Sequence, residues 1–138
     1  RGMQALNVAM GGSLVQDIPN HRHLENPGKQ AAFHEVFVPP GSRVTHIVGV
    51  GGFVRVNSLH HQGVNHKVKA PGLLVSAYSV GDGIIEALDS PRKDHRWVVG
   101  VQWHPERRDE VPRHHKKLFA SFVEAAREFR TTPPVSDA

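Results

Sequence analysis

Apolar positions along the chain follow helical and extended patterns in turn, with glycine and proline at the joints. The opening "RGMQALNVAMGG" reads as a helix: Met3, Leu6, Val8 and Met10 are mostly good helix formers, and Gly11-Gly12 stops it. "SLVQDI" predicts a short strand, with Leu14, Gln16 and Ile18 on one side and Val15 on the other. The Pro, Gly and Asn content of "PNHRHLENPGKQ" marks a loop, and "HEVFV" is a strand closed by Pro39-Pro40-Gly41. Over "GSRVTHIVGVGG", Ser42 as N-cap and the spacing of Val44, Ile47 and Val48 favour a short helix, against the β-branching of its valines. "FVRVNS" is the next strand. "GLLVSAYSVGDGIIEALDS" reads as a hairpin, its two β-rich arms flanking Gly81-Asp82-Gly83.

The almost wholly apolar "RWVVGVQW" predicts a strand covered on both faces. "RHHKKLFASFVEAAREF" predicts an amphipathic helix whose stripe is Leu118, Phe119, Phe122, Val123, Ala126 and Phe129. The tail "TTPPVSDA" (131–138) is expected to be disordered. The alternation of helix and strand predicts an α/β domain, yet a helix at residue one is an odd way for one to begin.

Size and composition narrow the classes. At 138 residues the chain amounts to about one domain. No run of about 18 apolar residues exists, so no membrane span is predicted. The net charge of +4 comes from basic residues mixed with acids, which argues for a solvated surface rather than a nucleic-acid footprint. The absence of cysteine excludes a disulfide scaffold. Eleven histidines raise the question of a metal. The pairs His21/His23, His60-His61 and His114-His115 do not each converge on one ion, and no metalloprotease or Cys–His spacing is present. For His114-His115 before Lys116-Lys117 a solvated helix start is expected, and no metal is predicted.

The chemistry concentrates in "VVGVQWHPE". On an extended segment His104 and Glu106 lie side by side, and Pro105 ends the strand's hydrogen bonding, setting the pair at a sheet rim. A carboxylate that accepts from one ring nitrogen fixes the tautomer and leaves the other as a base. The opening segment has the form of a chain that has just left a nucleophile at a strand–helix elbow: one residue, a glycine, then a helix. The reactive residue is then the one immediately before Arg1. Ser13, Ser42 and Ser58 are wrongly placed to serve.

"RGMQALNVAMGGSLVQDI" resembles the segment after the catalytic cysteine in class I glutamine amidotransferase-like hydrolases. "HEVFV", "VNSLHHQG", "DGIIEALDS" and "VVGVQWHPE" resemble, in order, the gamma-glutamyl-gamma-aminobutyrate hydrolase branch of that family. The resemblance implies the C-terminal part, residues 1–130, of a flavodoxin-like α/β domain: a mixed sheet with flanking helices whose N-terminal part is missing. It implies a Cys–His–Glu triad in which His104 is the base and Glu106 its orienting carboxylate. It further implies the backbone N–H of Arg1 as an oxyanion donor, Gln4 as a wall of the glutamyl pocket, and Asn57, Ser58, His60 and Gln62 on the substrate side. The implied enzyme is cytoplasmic, acts on a small gamma-glutamyl substrate through a thioester, as in polyamine or GABA catabolism, and needs no cofactor. The chain alone, lacking the nucleophile, is expected to be inactive. A homo-oligomer is left open, while nucleic-acid and membrane partners are not expected. Two alternatives stand beside this reading: a non-catalytic homologue acting as a binding or partner subunit, and an amidotransferase that supplies ammonia.

Overall fold

The computed structural model describes residues 1–26, 29–95 and 97–131. Helix α1 (Gly2–Ala9) is followed by β1 (Ala32–Val38), α2 (Arg43–Val48), β2 (Gly52–Ser58), β3 (Leu74–Ser79), β4 (Ile85–Asp89) and β5 (Val99–Val101). A 3-10 turn (Arg113–Lys116) then leads into α3 (Lys117–Thr131). The strands form one sheet in the order β2-β1-β3-β4-β5. A mixed sheet was the expectation; every pairing among the described strands is antiparallel.

Local signals account for several elements. Ser42 caps α2, its hydroxyl accepting from the Thr45 backbone N–H at 3.2 Å, a contact worth about 1 kcal/mol. Gly49 closes the same helix in the left-handed region at φ 83°. The β3–β4 hairpin forms as patterned, with Asp82 Oδ1 accepting from the Ile84 N–H and Gly83 at φ 69°.

Other expectations need correction. "SLVQDI" is no strand: Val15 makes one isolated bridge to Gly63, and Gln16-Asp17 followed by Pro19 extend it no further. The strand read over "RWVVGVQW" is only Val99–Val101 within the described residues, half-buried at the sheet's edge. Its apolar run continues past the ladder because Trp103 leaves the strand and enters the core. His115 is not solvated; it is 1% exposed and lies 5.5 Å from the Trp103 ring. Of the α3 stripe only Leu118 is buried, while Phe119, Phe122, Val123 and Phe129 remain exposed. The tail lies outside the described residues apart from Thr131, which ends α3.

Two apolar clusters hold the fold. Val36, Val38, Val44, Val48, Val56 and Trp103 belong to the first, which joins α2 to the sheet. Met3, Val64, Leu73, Ile85 and Leu88 belong to the second, which docks α1. Strand β4 is buried along its length and feeds both, through Ala87 and through Ile85 and Leu88. Among the described residues no helix is long and apolar enough to cross a membrane.

Candidate functional site

The carboxyl end of β5 and the amino end of α1 meet because Gly100 lets them. A Cβ on Gly100 would lie 3.1 Å from Cα, Cβ and Cγ of Met3, so the helix rests directly on the strand's backbone. Beyond Val101, Gln102 and Trp103 are each 2% exposed, and the chain surfaces at His104. The His104–Glu106 pair sits in a turn rather than on an extended segment, with Arg107 N–H donating to the His104 carbonyl at 3.2 Å. The turn brings His104 Nδ1 and Glu106 Oε1 to 2.7 Å. Burial opposes charge on Glu106, but its own backbone N–H and His104 outweigh this and hold its carboxyl below the ordinary value. An ionised Glu106 accepts from Nδ1–H and leaves Nε2 as the base.

His104 is anchored from across the sheet. Asn57, at the end of β2, is fully buried and donates to the His104 carbonyl at 3.0 Å. Its Oδ1 accepts from the His104 backbone N–H at 2.8 Å, and its amide also donates to Glu110 Oε2 at 2.8 Å. Strands β2 and β5 are opposite edges of the sheet, so these bonds mark where the sheet curls upon itself.

A cavity of about 400 Å³ opens between these elements, lined by Arg1, Gln4, His60, Gln62, His104 and Glu106, with Gln102 among its other walls. The Gln4 side chain donates to the Gln62 carbonyl at 2.8 Å and to Gln102 Oε1 at 3.0 Å. His60 Nδ1 contacts the same carbonyl at 2.8 Å, and the Gln62 amide donates to Gln16 Oε1 at 2.7 Å. Of the eight residues singled out in the sequence, these six meet here. Asn57 and Ser58 instead face inward, Ser58 Oγ donating to the His21 carbonyl at 2.7 Å. A larger groove of about 1390 Å³, between α2, the start of β3 and α3, shares no lining residue with this cavity. The imidazole–carboxylate pair lies in the smaller one.

Gln102 escaped the sequence reading, although a lone polar residue in an apolar run was a signal. So did a buried cluster of His21, His34, His60 and Glu86, in which one member of each of two histidine pairs converges with residues from β1 and β4. Glu86 carried its own signal, a charge inside the apolar run "GIIEALD". Burial opposes protonation of His21, yet Glu86 and Asp82 outweigh it and raise its pKa above the usual imidazole value. Among the described residues these four side chains are the group able to hold a metal ion.

Known proteins share this arrangement of chain. The model of the family described as Peptidase C26 matches residues 1–106. Protein NtpR of Enterococcus hirae is 39% identical over 130 residues, covering 90% of this chain and 52% of that protein. The gamma-glutamyl-gamma-aminobutyrate hydrolase PuuD of Escherichia coli K12 is 37% identical over 134 residues, covering 91% of this chain and 51% of that protein. The chain thus spans about half the length of these relatives. A Thermoplasma acidophilum protein, assigned as part of GMP synthase, shares the fold with a TM-score of 0.66 at 16% identity, covering 94% of this chain and 55% of that one. A family match over 106 of 138 residues, joined to relatives at close to 40% identity, establishes that the chain belongs to the peptidase C26 family of class I glutamine amidotransferase-like proteins.

Proposed function

We propose that this chain supplies the base, the oxyanion amide and part of the substrate pocket of a hydrolase that cleaves gamma-glutamyl amides through a cysteine thioester. The observation that carries the reading is the 2.7 Å His104–Glu106 contact at a cavity whose lining includes Arg1 and Gln4 of α1. The nucleophile is then a cysteine immediately before Arg1 in the whole protein, at the amino end of α1. The half-length coverage of the relatives and the exposed apolar stripe of α3 support a domain completed by preceding sequence.

In this mechanism His104 Nε2 takes the thiol proton, and the thiolate sulfur bonds to the gamma-carbonyl carbon. The Arg1 backbone N–H donates to the oxyanion. Collapse breaks the C–N bond while His104 returns the proton to the leaving amine. Water, deprotonated by His104, then hydrolyses the thioester to release glutamate and restore the thiol. Glu106 holds the ring throughout, and Asn57 fixes its backbone, which makes Asn57 a positioning residue. Gln4, His60 and Gln62 shape the glutamyl side, and no cofactor enters any step.

The test is hydrolysis of gamma-glutamyl-GABA by the whole protein, followed as released glutamate. His104→Ala is expected to lower kcat at least about a hundredfold without altering the fold. An unchanged rate removes His104 from the chemistry. Alanine or glycine encoded before Arg1 would instead favour a non-catalytic binding protein, and preference for free glutamine an ammonia-supplying amidotransferase.

A further inference from the structure

Four segments deliver metal-ligating side chains to one buried point: His21 from the loop before β1, His34 from β1, His60 after β2, and Glu86 from β4. One ligand atom of each lies within 4.8 Å of the others. Glu86 is 0% exposed; its Oε1 lies 3.3–3.6 Å from nitrogens of His21, His34 and His60 without well-formed hydrogen-bond geometry to any of them, and its Oε2 has no hydrogen-bond partner. The ring nitrogens of His34 are likewise without one. A carboxylate so buried is strongly disfavoured unless a cation lies beside it.

We propose that His21, His34, His60 and Glu86 form a structural site for one transition-metal ion of the zinc class. Four ligands at zinc bond lengths, arranged as a tetrahedron, sit about 3.3–3.4 Å from one another. His21 Nδ1 is 3.2 Å from His60 Nε2 and 3.3 Å from Glu86 Oε1, and His60 Nε2 is 3.4 Å from the same oxygen. His34 Nε2 is 3.6 Å from Glu86 Oε1, and the spread of the four ligand atoms reaches 4.8 Å, so His34 would draw in on binding to complete the tetrahedron. The rings are splayed rather than stacked, His21 tilted 56° to His34 and 60° to His60.

Proton placement points the same way. His21 Nε2 is 2.9 Å from Asp82 Oδ2, which can only accept, so that nitrogen carries a hydrogen. His60 Nδ1 faces the Gln62 carbonyl at 2.8 Å and must also donate. With those outer nitrogens protonated, the inner nitrogens His21 Nδ1 and His60 Nε2 face each other across 3.2 Å, and without a further proton their lone pairs would confront each other. Such a contact repels unless a cation or a shared proton lies between. Outer-shell acceptors that fix imidazole tautomers, here Asp82 and the Gln62 carbonyl, are the usual companions of histidine ligands. Three imidazoles with one carboxylate suit zinc, cobalt or nickel rather than magnesium or calcium.

Four protein ligands make the site closed, hence structural. Its role derives from His60, which reaches the metal point with Nε2 and the Gln62 carbonyl with Nδ1, the carbonyl on which Gln4 also rests. A bound ion would pin this wall of the His104 cavity. The metal site itself does not depend on that cavity being catalytic.

The test uses the full-length protein, stripped with a chelator, dialysed, and titrated with zinc chloride by calorimetry and with cobalt chloride by visible absorption. One saturable equivalent of zinc and the intense d–d bands of tetrahedral cobalt are expected, with no response to magnesium. Asp82→Asn, at a partly exposed position, is expected to weaken zinc binding by about 10–100-fold, and His34→Asn to remove the cobalt spectrum. His46→Asn and His114→Asn should change neither. Absence of saturable binding in the folded protein identifies the cluster as a proton-sharing ion network and overturns the site. Zinc binding indifferent to Asp82→Asn and His34→Asn does the same. Far-UV circular dichroism confirms folding, and if His34→Asn does not fold, Asp82→Asn decides.

Discussion

Replacing Asn57 with alanine removes three hydrogen bonds from the fully buried point where β2 meets the chain after β5. The two bonds to the His104 backbone contribute about 1 kcal/mol each, and their loss strands a part-buried N–H and C=O. The bond to Glu110 adds about another 1 kcal/mol, because that carboxylate is 29% exposed and keeps Arg107 at 3.2 Å. The expected loss is thus about 3 kcal/mol, a large share of a stability that is typically about 5–15 kcal/mol. Urea unfolding followed by far-UV circular dichroism measures it. Asn57→Asp is the sharper probe: one oxygen still accepts from the His104 N–H, but the other faces the His104 carbonyl and Glu110 with no hydrogen to offer. It should be at least as damaging as alanine at neutral pH. A loss below about 1 kcal/mol for Asn57→Ala, or wild-type stability for Asn57→Asp, would refute the view that this side chain closes the curled sheet.

Gly100→Ala places a methyl group 3.1 Å from the Met3 backbone, which cannot swing aside, so α1 must shift by a few tenths of an ångström. The expected cost is about 1–3 kcal/mol, seen as a lower Tm, with a several-fold lower turnover in the whole protein; unchanged values of both would contradict the close helix–strand contact. Burial, aided by His114, holds His115 at a pKa of about 4 against the ordinary 6.5, so the folded state favours the neutral ring. Its contribution to stability is therefore complete above pH 6.5, falls as the unfolded chain takes up the proton first, and levels off near pH 4. The interval corresponds to at most about 3 kcal/mol, or about 2 after solvent screening, and His115→Leu should flatten the acid limb of a stability–pH curve by that amount. Identical curves for the two proteins would refute it.

Near-neighbour chemistry was legible in the sequence alone. Ser42 capping α2, the Gly81-Asp82-Gly83 reversal and the pairing of His104 with Glu106 each involve residues two or three positions apart, within reach of one turn of chain; the last pair meets through a turn and not through the strand period that suggested it. The amphipathic helix was equally plain, although its stripe remained mostly exposed because burial depends on what packs against it. Contacts between distant positions were decided only by the tertiary structure. Strand order and curl bring Asn57 to His104, 47 residues away, and gather His21, His34, His60 and Glu86 from four segments. No local period encodes the order or curvature of a sheet, so Asn57 and His60, read from the sequence as substrate-side residues, became part of a buried clamp and of a cluster of metal-binding chemistry once the strands were laid side by side.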